Sequence, residues 1–245
     1  MPGRQHSLSI AADTRIADRT DDASFETTLL RAADAPALRK SERTRLRLLA
    51  AIASRLAAGD DPTALRVSDI ADAAGLAHGT FYRYFTDRQE AVEALIADFT
   101  RFQRERLAAI RDGAPGSPER VRAATLGYVR LFRRNAGLMR CLMGLGPETA
   151  AFRARFHALN RDWNARVAAA IAGHRARLSG TLPAAKEALL PTAYALGGMI
   201  DEFLTQIYLR RDPALAALED DETAIAELLT ELWCRAAYVS DAAVR

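Results

Sequence analysis

Apolar side chains recur at helical spacing along most of this chain. Between Arg39 and Gly59 they stand three and four residues apart, on one face of a helix. The residues on that face are Leu46, Leu49, Ile52, Ala53 and Leu56. The same spacing predicts helices at about 87–112, 118–135, 137–144, 147–178, 184–211 and 221–239. No segment alternates apolar with polar residues as a half-buried strand does, so the pattern predicts an all-α protein of about nine helices.

Breaks in this pattern divide the chain into three parts. The first part mixes Arg and Asp with Ser and Thr, and we interpret it as a mostly disordered tail. The alternative for its stretch SFETTLLRAA is a helical turn or two, with Phe25, Leu29 and Leu30 on one side. The expected parts are residues 1–36, a first domain at 37–87 and a larger second domain at 88–245.

The stretch VSDIADAAGLAHGTFYRYF, residues 67–85, reads as two helices joined by a tight turn. Ser68 is placed to cap the first helix, and Gly75 can take the left-handed conformation that ends it. Phe81 and Phe85 stand four residues apart, so they share a face of the second helix and are expected to pack inward. This pattern predicts a helix-turn-helix.

The opposite face of the second helix carries side chains suited to a nucleic acid. A tyrosine hydroxyl reaches a phosphate oxygen, an arginine fork fits guanine, and a histidine can reach base edges. A glycine lets the helix approach a groove closely, and a threonine near the helix start suits a phosphate. The residues concerned are His78, Gly79, Thr80, Tyr82, Arg83 and Tyr84. The alternatives are that the tyrosines are ordinary surface residues and that His78 contacts no base.

The string VSDIADAAGLAHGTFYRYFTDRQEAV resembles the DNA-binding motif of the TetR family of transcriptional regulators. The resemblance covers about residues 37–90 at the level of the motif, and beyond them only the order and approximate lengths of the helices. It implies phosphate contacts by Ser68, Thr80, Tyr82, Tyr84 and Arg88, and base contacts by His78, Gly79 and Arg83. The family more often has Thr where this chain has Ser68, a departure that keeps the hydroxyl.

Basic residues cluster just ahead of this motif. Five of them, against the single Glu42, are Arg39, Lys40, Arg43, Arg45 and Arg47. A charge run is often only a solvated face, but beside a helix-turn-helix we expect it to border the DNA backbone, with Arg45 among the contacts. The net charge of +3 is small, so DNA binding must depend on such local groups.

For residues 88–245 the resemblance implies a ligand-binding and dimerisation domain. The expected ligand-binding residues are Tyr128, Phe132, Met139, Met143, Phe156, Asn160, Trp163, Met199, Phe203 and Gln206. Polar groups on apolar faces are the better candidates, because a ligand can supply the partner that a buried polar group needs, and His157 and Asp201 also qualify. The mostly apolar set indicates a hydrophobic ligand. The alternative is that these residues form an ordinary core.

Two later helices have apolar faces that look too broad for one core, and we expect them to form a two-fold dimer interface. The expected interface residues are Gly197, Ile200, Leu204, Ile207, Leu228, Leu232 and Trp233. The pair Gly197–Gly198 weakens a helix by about 1 kcal/mol per glycine, which a close backbone approach would explain. A bend beside Pro191 is the other explanation.

Other function classes lack their signals in this sequence. The four histidines form no helical pair for a metal, and no nucleophile elbow, phosphate-binding glycine loop or H-E-x-x-H motif occurs, so we expect no enzyme, metal or cofactor. No apolar run approaches a membrane span, so we expect a soluble, cytoplasmic protein with no membrane partner. The resulting hypothesis is a homodimeric repressor that binds a palindromic DNA operator and is released by a small hydrophobic effector. A regulator that senses no ligand, or an architectural protein-binding module, is the alternative.

Overall fold

The computed structural model describes residues 24–145 and 150–238, except for the side chains of residues 144–156 and 159. The described residues form helices and no strand, which confirms the all-α prediction. The α-helices are α1 (Phe25–Ala33), α2 (Lys40–Ala57), α3 (Val67–Ala73), α4 (His78–Phe81), α5 (Arg88–Ala109), α6 (Pro118–Arg134), α7 (Ala136–Arg140), α8 (Ala150–Ser179), α9 (Leu190–Tyr208) and α10 (Glu222–Tyr238). A π-helical turn, Cys141–Leu145, follows α7, and short 3₁₀ segments, Lys186–Leu189 and Pro213–Leu218, precede α9 and α10.

Side-chain caps begin two of the long helices where the sequence predicts them. The Asp87 carboxylate accepts a hydrogen bond from the backbone N–H of Glu90 at 2.8 Å, and α5 starts at the next residue. Ser117 caps α6 in the same way. The predicted cap at Ser68 is wrong, because the backbone is already helical from Val67 and the Ser68 hydroxyl lies inside the first turn of α3.

Helix α1 corrects the prediction of a disordered tail for residues 24–36. Phe25 is 2% exposed and lies between Phe99 and Phe102 of α5, with ring centroids 5.5 and 5.1 Å away. Leu29, one turn later, is also 2% exposed. These contacts bury enough apolar surface to fix a helix whose own sequence is a weak helix signal. Residues 1–23 lie outside the described residues.

The start of α7 joins α1 and α2 to the rest of the chain. The side-chain oxygen of Asn135 accepts a hydrogen bond from the backbone N–H of Phe25 at 2.8 Å. At Gly137 the backbone comes so close to α2 that an added Cβ would stand 2.0 Å from the carbonyl oxygen of Leu56. Only glycine fits this approach, so the two segments pack backbone to backbone.

Buried apolar residues form two clusters. The larger one runs from α1 to α7 and on into α9 and α10, so the helix-turn-helix shares one continuous core with the helices that follow. The smaller cluster lies between α8, α9 and α10 and contains several alanines, including Ala168, Ala172 and Ala193. The domain boundary after residue 87 is not marked by a break in this core and stays a prediction. Within residues 24–145 and 150–238, no helix is both long enough and apolar enough to span a bilayer.

Candidate DNA-binding surface and internal cavity

Helices α3 and α4 form the predicted helix-turn-helix. Gly75 takes a φ of +66° between them, in the left-handed region that glycine adopts without strain. The N–H of Leu76 donates to the carbonyl of Ala71 at 2.9 Å and closes the turn. Phe81 and Phe85 are 0% and 3% exposed, and their ring centroids are 5.6 Å apart. The prediction that both phenylalanines pack inward is confirmed.

The residues opposite these phenylalanines face outward. Helix α4 ends at Phe81, earlier than expected, but Tyr84 N–H still donates to the Phe81 carbonyl at 2.9 Å and keeps the next turn compact. Tyr82 is 53% exposed, and His78 packs edge-on against it with ring centroids 5.5 Å apart. The outward surface, which we call the recognition face, comprises His78, Gly79, Thr80, Tyr82, Arg83 and Tyr84, of which Thr80 and Tyr84 are half-buried.

The recognition face leaves room for a close partner. A Cβ added at Gly79 would meet no atom within 4 Å, so the glycine is not required by packing inside the chain. Among the described residues, Arg83 has no side-chain hydrogen bond or ion pair, and neither has the Tyr82 hydroxyl. These groups are therefore available to bind another molecule.

Two further predicted DNA contacts already have partners inside the chain. Arg45 forms an ion pair with Asp98 at 3.4 Å and its guanidinium lies 5.6 Å from the ring centroid of Phe85. Arg88 donates to the backbone carbonyls of Thr63 and Leu65, the latter at 3.3 Å. Both arginines therefore hold the helix-turn-helix in place, and their phosphate contacts stay a prediction. Ser68 likewise remains untested; its hydroxyl donates to Asp69.

The basic cluster at the start of α2 is largely engaged in packing as well. Arg43 donates to the carbonyls of Ala33 and Ala35 at 2.9 and 3.4 Å, and Arg47 pairs with Asp34 at 3.4 Å. The sequence predicted a solvated face or a DNA border for this cluster, and neither includes these contacts with α1 and the turn after it. A prediction of helix α1 could have indicated this packing role, because the last carbonyls of a helix need hydrogen-bond donors.

A cavity of about 490 Å³, partly open to solvent, lies between α5, α6, α8, α9, α10 and the π-helical turn. Four predicted ligand-binding residues line it: Tyr128, Met143, Asn160 and Trp163. Small residues, alanine on α6, α8 and α9 and glycine on α9, leave the space open. Aromatic rings of α9 and α10 complete its walls. Its volume is in the range of small-molecule sites.

Five predicted ligand-binding residues do not line the cavity. Phe132 and Met139 are 0% exposed and belong to the main core. Met199 and Phe203 pack against that core, and the Gln206 amide donates to Glu202 at 2.6 Å. Each of these five residues lies on a helix that lines or adjoins the cavity, but on a face that points away from it. Periodicity alone does not tell these two faces apart. The side chain of Phe156 lies outside the described residues.

A half-buried acid and phenol form a polar pair in the cavity wall. The Tyr128 hydroxyl donates to Asp201 Oδ1 at 2.7 Å. Burial raises the pKa of the Asp201 carboxyl above its usual value, and the hydrogen bond from Tyr128 opposes that shift. Burial, with the nearby Asp201 charge, raises the pKa of Tyr128 well above its usual value. Tyr128 and Asp201 were both expected at the ligand site, but their pairing across 73 residues was not predicted.

The predicted dimer interface is mostly interior in this chain. Leu204 and Ile207 are 0% and 2% exposed in the single chain, so a partner cannot reach them, and their assignment to the interface is wrong. The apolar face of α9 is broad because it packs against α8, α6 and α10 of its own chain. Gly197, Ile200 and Trp233 line the cavity. Leu228 and Leu232 remain exposed, at 39% and 41%.

Two short helices joined by a glycine turn, the second facing outward, are the arrangement of a helix-turn-helix. Residues 49–95 match the family described as "Bacterial regulatory proteins, tetR family". The match over residues 49–95 confirms the predicted resemblance to the TetR family of DNA-binding transcriptional regulators, and the similar folds described below agree with it. No curated protein sequence matches the chain significantly.

Three solved structures with similar folds are transcriptional regulators or repressors. The regulator FadR from Bacillus subtilis, solved in complex with stearoyl-CoA, is 17% identical, with a TM-score of 0.57 over 77% of this chain and 96% of FadR. MexZ, a repressor responsible for antibiotic resistance in Pseudomonas aeruginosa, is 19% identical, with a TM-score of 0.58 over 82% and 98% of the two chains. A regulator from Aquifex aeolicus is 15% identical, with a TM-score of 0.55 over 77% and 96%. At these identities the likeness shows the fold.

Proposed function

We propose that this protein is a homodimeric repressor that binds a palindromic operator and is released by a small hydrophobic effector. The observation that carries the proposal is the recognition face: the Tyr82 hydroxyl and the Arg83 guanidinium are exposed and have no hydrogen-bond partner in the described chain, while Phe81 and Phe85 pack inward beneath them. These exposed polar groups make no stabilising contact within the chain. A DNA duplex can supply their partners: phosphates for the Tyr82 hydroxyl and base edges for the Arg83 guanidinium.

The geometry of α4 suits entry into the major groove. Gly79 leaves open space at the leading side of the helix, so the backbone can approach the groove floor. His78 and Arg83 then face base edges, and Thr80, Tyr82 and Tyr84 face the flanking phosphates. We also assign phosphate contacts to Arg45, Ser68 and Arg88, in addition to the contacts that these residues make inside the chain.

A second copy of the chain would place two recognition faces on one side of the DNA. Leu228 and Leu232 of α10 stand four residues apart, so these two exposed side chains form one apolar stripe. A two-fold axis beside α10 would pair this stripe with itself. Successive half-sites then lie about 34–36 Å apart, one turn of the double helix, or a multiple of it.

Release by an effector requires that the cavity and the recognition face change together. Helix α5 begins at Arg88, three residues after Phe85, and contributes Thr100 and Gln103 to the cavity. An occupant that displaces α5 would therefore move the helix-turn-helix. A coupling free energy of about 1–3 kcal/mol, typical of allosteric proteins, changes operator affinity several-fold to a hundredfold. The FadR structure contains stearoyl-CoA, which supports a hydrophobic effector in this fold.

The experiment has two stages. Selection of bound fragments from the source genome gives an operator, and gel-shift titrations then compare Tyr82→Phe with the wild type. The change removes one hydroxyl that has no partner in the described chain, so we expect weaker binding to every sequence with an unchanged circular dichroism spectrum. The matched control is Tyr194→Phe, a 41% exposed tyrosine on α9, which should bind DNA as the wild type does. Equal affinity of Tyr82→Phe and wild type would overturn the assigned phosphate contact.

A further inference from the structure

The cavity wall contains an acid whose charge the chain does not compensate. Asp201 is the only acidic residue among the described residues that line the cavity, and its Oδ1 accepts the hydrogen bond from Tyr128. Its second oxygen, Oδ2, has no partner among the described residues. No arginine or lysine of the described chain forms an ion pair with this carboxylate.

Among the described residues, the arginines in the same wall form no ion pair with Asp201. Arg120 donates to three backbone carbonyls, those of Ile110, Asp112 and Gly113, at 2.6 to 2.8 Å, and so holds the loop after α5. Arg166 is exposed, so water and salt screen its charge. Burial raises the pKa of Asp201, and the Tyr128 hydrogen bond only partly opposes that shift.

A carboxylate in an apolar cavity is costly unless a cation or several donors meet it. Besides Arg104, Arg120 and Arg166, the wall contains four aromatic residues: Trp163 on α8, Tyr194 on α9, and Trp233 and Tyr238 on α10. Aromatic faces attract cations, and a cation that leaves water for such a site gains from both the rings and the acid.

We infer that the effector of this cavity is an amphipathic organic cation, a protonated amine on an apolar body, whose ammonium group donates to Asp201. The inference rests on the proposed function for the existence of an effector and names its chemical class. The amine binds Oδ2 beside Tyr128, and the apolar body fills the space lined by the alanines, glycines and aromatic rings of α6, α8 and α9. An anionic amphiphile would instead bring a second negative charge to Asp201 and would need Arg104 or Arg166 for its head group.

Three probes with one apolar body separate these chemistries: 4-phenylbutylamine, 4-phenylbutanol and 4-phenylbutanoate. Calorimetric titration of the full chain should show the amine binding about tenfold or more tighter than the alcohol, the order expected for a hydrogen bond to a charged group. Asp201→Asn keeps the shape and the bond from Tyr128 but removes the charge. It should lower amine affinity by about tenfold or more and leave alcohol affinity within about twofold.

Arg104→Ala removes a cation from the same wall and therefore should not weaken amine binding. Tightest binding of the butanoate, lost in Arg104→Ala, would overturn the inference in favour of an anion site. Equal affinities of wild type and Asp201→Asn for the amine, or no amine binding at all, would also overturn it. Gel shifts without any probe test the proposed DNA binding separately, so a protein that binds the amine through Asp201 but not DNA would refute the proposed function and leave this inference standing.

Discussion

Replacing Phe25 with alanine measures how far α1 belongs to the folded core. The phenyl ring is 2% exposed and lies between two rings of α5, at 5.5 and 5.1 Å, so its removal leaves a cavity that α5 cannot close without moving. Phe→Ala changes in cores cost about 3–5 kcal/mol. The whole free energy of unfolding of a typical protein is about 5–15 kcal/mol, so the variant should lose a large share of its stability.

The assay is urea unfolding followed by circular dichroism, with thermal unfolding as a second readout. A loss of this size corresponds to a fall in Tm of roughly 6–20 °C for a chain of this length. Leu30→Ala is the matched control, because Leu30 lies on the same helix but is 44% exposed, and it should cost less than about 0.5–1 kcal/mol. If the two variants unfold at the same urea concentration, α1 contributes nothing to the core and residues 24–36 behave as a tail.

Three further predictions follow from close packing, buried charge and exposed apolar surface. Gly137→Ala would place a Cβ 2.0 Å from the Leu56 carbonyl and should lower Tm, whereas Gly198→Ala, with no atom within 4 Å, should not; equal Tm values would refute the close approach. Asp201→Asn should raise the free energy of unfolding at neutral pH, because burial raises the folded-state pKa of Asp201 and the folded protein pays for the charged carboxylate as the pH rises through that pKa. In acid the wild-type carboxyl is protonated, so the difference in unfolding free energy between variant and wild type should vanish there. A difference that stays constant with pH in urea titrations would contradict this. Leu232→Glu should convert a dimer into folded monomers in sedimentation velocity, and an undisturbed dimer would exclude the stripe on α10 from the interface.

The helix-turn-helix was predictable because its determinants are local. Gly75 ends one helix by its own conformational freedom, and Phe81 and Phe85 share a face because of their spacing, whatever they pack against. The structure confirms all three. The cap at Ser68 failed because the choice between two adjacent starting residues depends on backbone angles that a single hydroxyl does not fix.

Helix α1 was not predictable as a buried helix because its stabilising partners are distant in sequence. Phe25 packs against residues more than seventy positions later, and its N–H is bound by Asn135, 110 residues away. A nine-residue helix is marginal in water without such contacts. The polar sequence before it therefore led to a prediction of disorder that is wrong for residues 24–36.

Apolar helix faces in the second half of the chain posed a different difficulty. An apolar residue can face the core, a cavity or a partner chain, and periodicity marks all three alike. Leu204 and Leu232 both read as interface residues, yet the first is 0% exposed and the second 41% exposed. The pairing of Tyr128 with Asp201 could not be predicted from the sequence either, because only the folded chain brings these two residues together.

The segment from Asn135 to Leu145 gives the proposed repressor a second connection between cavity and DNA-binding domain, besides α5. Its beginning binds α1 through Asn135 and meets α2 at Gly137, and its π-helical end places Leu142 and Met143 in the cavity wall. Between them Met139, which is fully buried, accepts a hydrogen bond at 3.0 Å from Gln103, another cavity residue. Single π-helical turns often occur at functional sites, and close-packed contacts of this kind transmit displacement because there is no free volume to absorb it. An effector that shifts the wall at Met143 would therefore act on the carbonyl end of α2 as well as on α5, and so move both helices that hold the recognition face.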